Sequence, residues 1–194
     1  MLLGSAPGDT LTPMENAKEE MKKGYTLAAG GEHAEALEAF ARAEAGFAAA
    51  GDERGRARAS TNRALALVRL GRFAEALEGF RSALGRFESE GELLHVAEQH
   101  GNIGSVHRDL GEPDAALAGY EKALALYRQL EMDERAADQC TNIAYARFLK
   151  EEYPEALRSY REAIDLYTRS GCEEKRALAA GNADRLAAAL GPPE

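Results

Sequence analysis

The chain holds 194 residues, with 33 Asp and Glu against 24 Lys and Arg and a formal net charge of −9. At roughly 100–200 residues per domain, this is one compact domain or one short repeat array, and a large multidomain machine is excluded. The acidic balance opposes holding a polyanion, so neither nucleic acid nor an anionic membrane is an expected partner.

There are 39 Ala and 23 Leu but only 3 Val and 3 Ile, a bias toward straight-chain helix formers that makes the expected class all-α. No apolar run approaches the ~20 residues needed to cross a bilayer. The opening Met1-Leu2-Leu3-Gly4-Ser5-Ala6-Pro7 lacks the long apolar stretch of a secretory signal. A soluble, cytoplasmic protein is expected. Cys140 and Cys172 form no C-x-x-C pair and read as two free thiols.

In chain order, residues 1–12, with Gly4, Pro7 and Gly8, read as a flexible tail. Thr12-Pro13-Met14-Glu15 is a capping box with Pro at the first helical position, which predicts a helix from Pro13 to Ala29 ended by Gly30-Gly31. Aligning the sequence with itself then shows an offset of 40 that organises everything downstream. It links Gly31, Gly71 and Gly111, then Ala36, Ala76, Ala116 and Ala156, then Phe40, Phe80, Tyr120 and Tyr160, then Phe47, Phe87, Tyr127 and Tyr167. It also links Ala17, Ala57, Ala97, Ala137 and Ala177, and Asn62, Asn102, Asn142 and Asn182.

An Ala and an aromatic four residues on share a helical face, so each unit reads as two helices, with small residues permitting close approach and rings filling the space beside them. Second helices should stop near Gly51, Gly91, Glu131 and Gly171, and Pro113 and Pro154 fall near second-helix starts. The expected units are 13–52, 53–92, 93–132 and 133–172. Residues 173–190 repeat only the first-helix pattern and read as a capping helix, a ninth helix with Asp184 facing solvent. Residues 191–194, Gly-Pro-Pro-Glu, read as a terminal tail and a finished end.

Gly71-Arg72-Phe73-Ala74-Glu75-Ala76-Leu77-Glu78-Gly79-Phe80, with Asn102-Ile103-Gly104 in the helix that precedes the next such turn at Gly111, resembles the tetratricopeptide repeat. The 40-residue period and Gly51-Asp52-Glu53-Arg54 resemble the longer-helix variety of the spindle-orientation adaptors LGN and Pins. The resemblance covers about residues 13–190. It departs from the family at Lys22, where the other units have Asn, at Lys23 and Arg63, where the family has Leu, and at Ser60, His100 and Cys140, where shorter repeats often carry Trp.

The resemblance implies a right-handed α-solenoid of four helix hairpins plus a cap. It further implies that first helices line a concave groove in which Asn62, Asn102 and Asn142, extended by Asn182, bind the backbone of an extended peptide. An amide offers both a donor and an acceptor, as a peptide backbone requires. Internal capping or bonding is the competing reading, although mid-helix Asn has poor propensity and a row of them needs a shared reason.

Helical spacing adds Lys18, Lys22, Tyr25, Arg58, Leu65 and Arg69 to that face toward the N-terminal half. It adds Glu98, Ser105, Arg108, Asp109, Asp138, Tyr145, Phe148 and Arg185 toward the other. A groove basic first and mixed afterwards suits a ligand with an acidic stretch. Met21, Tyr25 and Glu98 stand where the chaperone-tail carboxylate clamp needs Lys, Asn and Lys, which disfavours that ligand.

His100, His107 and Cys140 match no standard zinc spacing and read as structural, so neither metal nor cofactor is expected. No Walker loop, dinucleotide fingerprint or nucleophile elbow is present. Arg54, Arg56 and Arg58 read as surface partners of nearby acids. The expected function is a non-catalytic adaptor, monomeric or weakly self-associating, holding a protein or peptide partner. The alternatives are a self-assembly module using repeat ends or convex faces, a sensor of a signalling peptide, and an enzyme or metal protein centred on His100, His107 and Cys140.

Overall fold

A computed structural model of the chain describes residues 11–190. Among these, secondary structure is all helical: α1 (Pro13–Ala29), α2 (His33–Ala49), α3 (Glu53–Arg69), α4 (Phe73–Ser89), α5 (Leu93–Asp109), α6 (Pro113–Gln129), α7 (Asp133–Leu149), α8 (Tyr153–Ser170) and α9 (Glu173–Leu190). The fold is a helical repeat of the α-solenoid class. Most of the expected tails, residues 1–10 and 191–194, lies outside the described residues. The chain divides into two compact units, residues 1–86 and 87–194, so the division falls inside α4 and not at a repeat boundary.

The period has a simple origin. Through α7, helices of 17 residues alternate with three-residue turns, and two of each make the 40-residue unit; α8 has 18 residues and a two-residue turn, which keeps the same sum. The first helix starts as the capping box requires: Thr12 Oγ1 accepts from the Glu15 N–H at 3.2 Å, and Glu15 Oε2 accepts from the Thr12 N–H at 2.9 Å. Each turn closes alike, as at Gly31, where the Gly31 N–H donates to the Ala28 carbonyl and the Glu32 N–H donates to the Leu27 carbonyl. This Schellman arrangement requires a left-handed residue in the middle of the turn.

Six turns place Gly there, with φ between 69° and 81°. Glu131 (φ 56°) and Glu151 (φ 61°) adopt the same conformation despite their side chains, at a steric cost of about 1–2 kcal/mol each. Glu131→Gly and Glu151→Gly are therefore expected to raise stability by about 1 kcal/mol apiece, the gain being trimmed by the freer unfolded chain. Urea midpoints check this, and unchanged midpoints would mean that these turns carry no strain.

In the first unit α1 packs on α2 and α2 on α3. Phe40 (2% exposed) lies over Gly24, where a Cβ would come within 2.5 Å of the ring. Ala17 meets Gly46 in the same way. The Ser60 hydroxyl, almost fully buried, donates to the Gly79 carbonyl of α4 at 3.3 Å.

In the second unit successive helices pack from α5 through α9. Tyr120, fully buried, lies over Gly104, and Tyr127, Tyr160 and Tyr167 continue the aromatic series. Burial of each such ring contributes about 1.5–3 kcal/mol, so the regular aromatics act as core.

The ninth helix is held differently. Ala179, Ala183 and Leu186 are its buried residues, whereas Ala177, in register with the buried Ala17, Ala57, Ala97 and Ala137, is exposed. Among the described residues no second helix accompanies α9, so the face that Ala17 turns toward α2 is open here. Asp184, as expected, is exposed.

Polar ties fasten this end. Lys175 Nζ donates to Glu134 at 2.8 Å and to Asp138 at 2.9 Å, Arg169 pairs with Asp133, and the Tyr167 hydroxyl donates to Asp138 at 2.7 Å. Hydrogen bonding from Arg169 holds the Asp133 carboxyl below its usual value, and bonding from Lys175 does the same for Glu134. A lowered carboxylate pKa stabilises the fold above the ordinary range of about 4, and that contribution is lost as pH falls through the lowered value. Urea midpoints are accordingly expected to fall below about pH 4, and less steeply in an Asp133→Asn, Glu134→Gln variant.

Candidate functional site

The repeat puts Lys22, Asn62, Asn102, Asn142 and Asn182 at the tenth position of α1, α3, α5, α7 and α9. Each is mid-helix, where capping geometry is absent and the local backbone partner open to an Asn side chain is the carbonyl four residues back.

In the first unit the predicted residues converge. Lys18, Lys22, Tyr25 and Arg58 line a cleft of about 350 Å³ together with Met21, Phe47, Asp52, Arg54 and Gly55. Asn62 Nδ2 donates to the Tyr25 hydroxyl at 3.1 Å and to the Arg58 carbonyl at 2.8 Å. In the structure Asn62 is thus bonded internally, and so is Asn182, to Arg185 of its own helix. Tyr25 also meets Phe40 edge-on, with centroids 5.5 Å apart, and stays 46% exposed. Arg69 and Leu65 are exposed but do not line the cleft.

The three arginines at the start of α3 do not share one fate. Arg56 pairs with Glu53 at 3.4 Å, as expected. The Arg58 guanidinium makes no ion pair among the described residues, and Asp52, which lines the same cleft, caps α3 by accepting from the Gly55 N–H at 2.8 Å.

In the second unit Asn102 and Asn142 are half-buried and make no side-chain hydrogen bond to any described residue. Asn182 Oδ1 accepts from the Arg185 guanidinium of its own helix. Ser105 Oγ accepts from the Tyr120 hydroxyl at 3.3 Å, and burial pushes the Tyr120 pKa up.

Arg108 binds Asp109 at 2.7 Å. Burial opposes its charge, but the bond to Asp109 and the fields of Tyr120, Asp109 and Tyr145 outweigh that and leave its pKa raised. Tyr145 (44% exposed) stacks on Phe148 (42% exposed) at 6.4 Å, and Phe148 meets Tyr153 at 5.7 Å. Of the acids expected on this face, Glu98 is engaged with Arg135 at 2.7 Å and Asp138 with Lys175 and Tyr167.

His107 Nδ1 lies 2.6 Å from Glu112 across the α5–α6 turn. Burial, then Lys122, holds the His100 pKa down. Burial pushes the Cys140 thiol up to about 11, a poor nucleophile or ligand at neutral pH. Both cysteines are free. Among the described residues no group of three or more His, Cys, Asp or Glu is placed to hold a metal ion, and no helix is long and apolar enough to cross a membrane.

Sequence reasoning missed Met21, Phe47, Asp52 and Gly55 in the cleft. Met21 lies one residue before Lys22, off the spacing from the Asn row, and the other three come from the end of α2, the turn after it and the start of α3, outside first-helix spacing. Tyr153, at the start of α8, escaped for the same reason.

The model of the family described as "Soluble NSF attachment protein, SNAP" matches residues 8–173. No curated protein sequence matches the chain. Its fold is similar to the apo form of RapI, with a TM-score of 0.81 at 19% identity over 88% of this chain and 62% of that one. It is also similar to aspartyl phosphate phosphatase F from Bacillus subtilis, with a TM-score of 0.76 at 14% identity over 93% of this chain and 52% of that one. The chain thus spans less than two thirds of either protein, and at these identities the likeness is one of fold. Together these findings support a helical-repeat protein; the finer likeness to the LGN and Pins variety stays an expectation of the sequence.

Proposed function

This chain belongs to the soluble NSF attachment protein (SNAP) family, and from that premise we propose that it is a non-catalytic adaptor holding an extended segment of a protein partner on its Asn-bearing helix faces. The observation that carries the reading is the state of Asn102 and Asn142, mid-helix, half-buried and without a hydrogen bond to a described residue. An amide in that setting costs helix propensity and gains no hydrogen bond from a described residue. Its donor and acceptor match the carbonyl and N–H of an extended backbone, and Tyr145, Phe148 and Arg108 beside them supply side-chain contacts. Attachment, the property in the family's name, is a binding role.

The test is a comparative capture from lysate of the source organism with wild type and an Asn102→Ala, Asn142→Ala variant of equal helicity. Proteins retained by wild type alone support the reading. Identical sets on both baits would oppose it. One similar fold is that of a phosphatase named for aspartyl phosphate, so phosphate release from acetyl phosphate by the purified chain would overturn the non-catalytic part.

Self-association is the second reading, favoured by the open face of α9, where Leu178 is 66% exposed. Concentration-dependent mass that Leu178→Lys abolishes would support it.

A further inference from the structure

The geometry points to the cleft between α1 and α3 as a docking site for an acidic peptide segment, one apolar side chain seating against Tyr25, Met21 and Phe47 while flanking carboxylates meet Lys18, Lys22 and Arg58. This deepens the adaptor reading and rests on it, because it names the chemistry of the segment held.

Charge is the first argument. The chain carries −9 overall, and many of its cations are spent on its own acids: Arg42 on Glu20, Arg63 on Glu44, Arg72 on Glu75 and Arg86 on Glu53 within the first unit alone. Around the cleft the pattern reverses. The Lys18, Lys22 and Arg58 side chains have no ion-pair partner among the described residues, and they outnumber the single carboxylate in the lining, Asp52, which caps α3 through the Gly55 N–H. Cations left unpaired around a concavity in an acidic protein attract an anionic ligand and repel a basic one.

Shape and rigidity are the second. A cleft of about 350 Å³ admits an aromatic or branched aliphatic side chain. Its walls are the edges of Met21 and Phe47 and the ring of Tyr25, which is fixed by Phe40 on one side and by the Asn62 amide at its hydroxyl. An exposed aromatic already held in place loses little entropy when a partner covers it. A bare inorganic anion would leave this apolar wall uncovered, so the complement is a peptide carrying both acids and an apolar residue.

The test is selection of a displayed library of random nine-residue peptides on the purified chain. Wild type is expected to enrich sequences rich in Asp and Glu around a central Phe, Tyr, Leu or Ile. Binding of a synthesised winner should weaken at least tenfold in Lys22→Glu, Arg58→Glu, and should weaken with salt from about 0.05 to about 0.5 M. Lys23→Glu, Arg81→Glu makes the same change in net charge at exposed residues outside the cleft and should leave binding within about twofold. The proposal is overturned if wild type enriches nothing, if the winners carry no acidic excess, or if both charge-reversed variants lose binding alike. Peptide binding that survives while partner capture ignores Asn102→Ala, Asn142→Ala would sink the Asn-face reading and leave the cleft standing.

Discussion

Gly119→Ala is expected to lower stability by about 3 kcal/mol, whereas Gly85→Ala is expected to raise it by about 0.5–1 kcal/mol. The two substitutions are chemically identical and both lie inside second helices. A Cβ at Gly119 would stand 2.8 Å from the His100 carbonyl and 2.9 Å from the Gly104 backbone. All of these are main-chain atoms of α5, which move only if the α5–α6 crossing opens. At Gly85 a Cβ meets nothing within 4 Å, so only the helix preference of Ala remains. Urea denaturation of both variants reads the difference directly. Equal midpoints would mean that α5 and α6 are not held at the spacing described.

The second large effect separates binding from stability. Asn102→Ala, Asn142→Ala removes two amides that bond no described residue, so the variant is expected to be as stable as wild type or slightly more so, Ala being the better helix former. Partner affinity should fall by about 0.5–1.5 kcal/mol per amide, or about fivefold to 150-fold together. Asn62→Ala should behave otherwise: it releases Tyr25 and the Arg58 carbonyl and is expected to cost about 1 kcal/mol of stability as well. Stability measured beside affinity for all three sites distinguishes a binding amide from a structural one.

The helix plan was legible in the chain because its determinants are local. Thr12-Pro13-Met14-Glu15 starts α1, and the glycines at the 40-residue offset end helices by supplying the left-handed residue of each turn. Glu131 and Glu151 show that the turn, more than the glycine, is the repeated element. The core aromatics and the small residues beneath them were equally legible, since Gly24 under Phe40 and Gly104 under Tyr120 repeat one size match.

The site was legible only as a row. Spacing put Asn62, Asn102 and Asn142 on equivalent faces, but whether an amide is spent on a neighbour depends on what lies across the helix packing. Tyr25 engages Asn62, while the residues that line up with Tyr25, Leu65 and Ser105, cannot present a phenol to Asn102 and Asn142. The cleft drew Phe47, Asp52 and Gly55 from a helix end and a turn, positions that helical periodicity does not connect to α1. Ala177 was in register yet exposed, because register describes a helix's own pattern and not whether a neighbour comes to cover it.

The most direct test of the central claim is side-chain amide NMR of the chain titrated with its captured partner segment. The account predicts that the Nδ2 cross-peaks of Asn102 and Asn142 shift together and saturate at the affinity measured by calorimetry, while Gln129, at the end of α6, stays still. Saturating partner with both Asn peaks unmoved would contradict it.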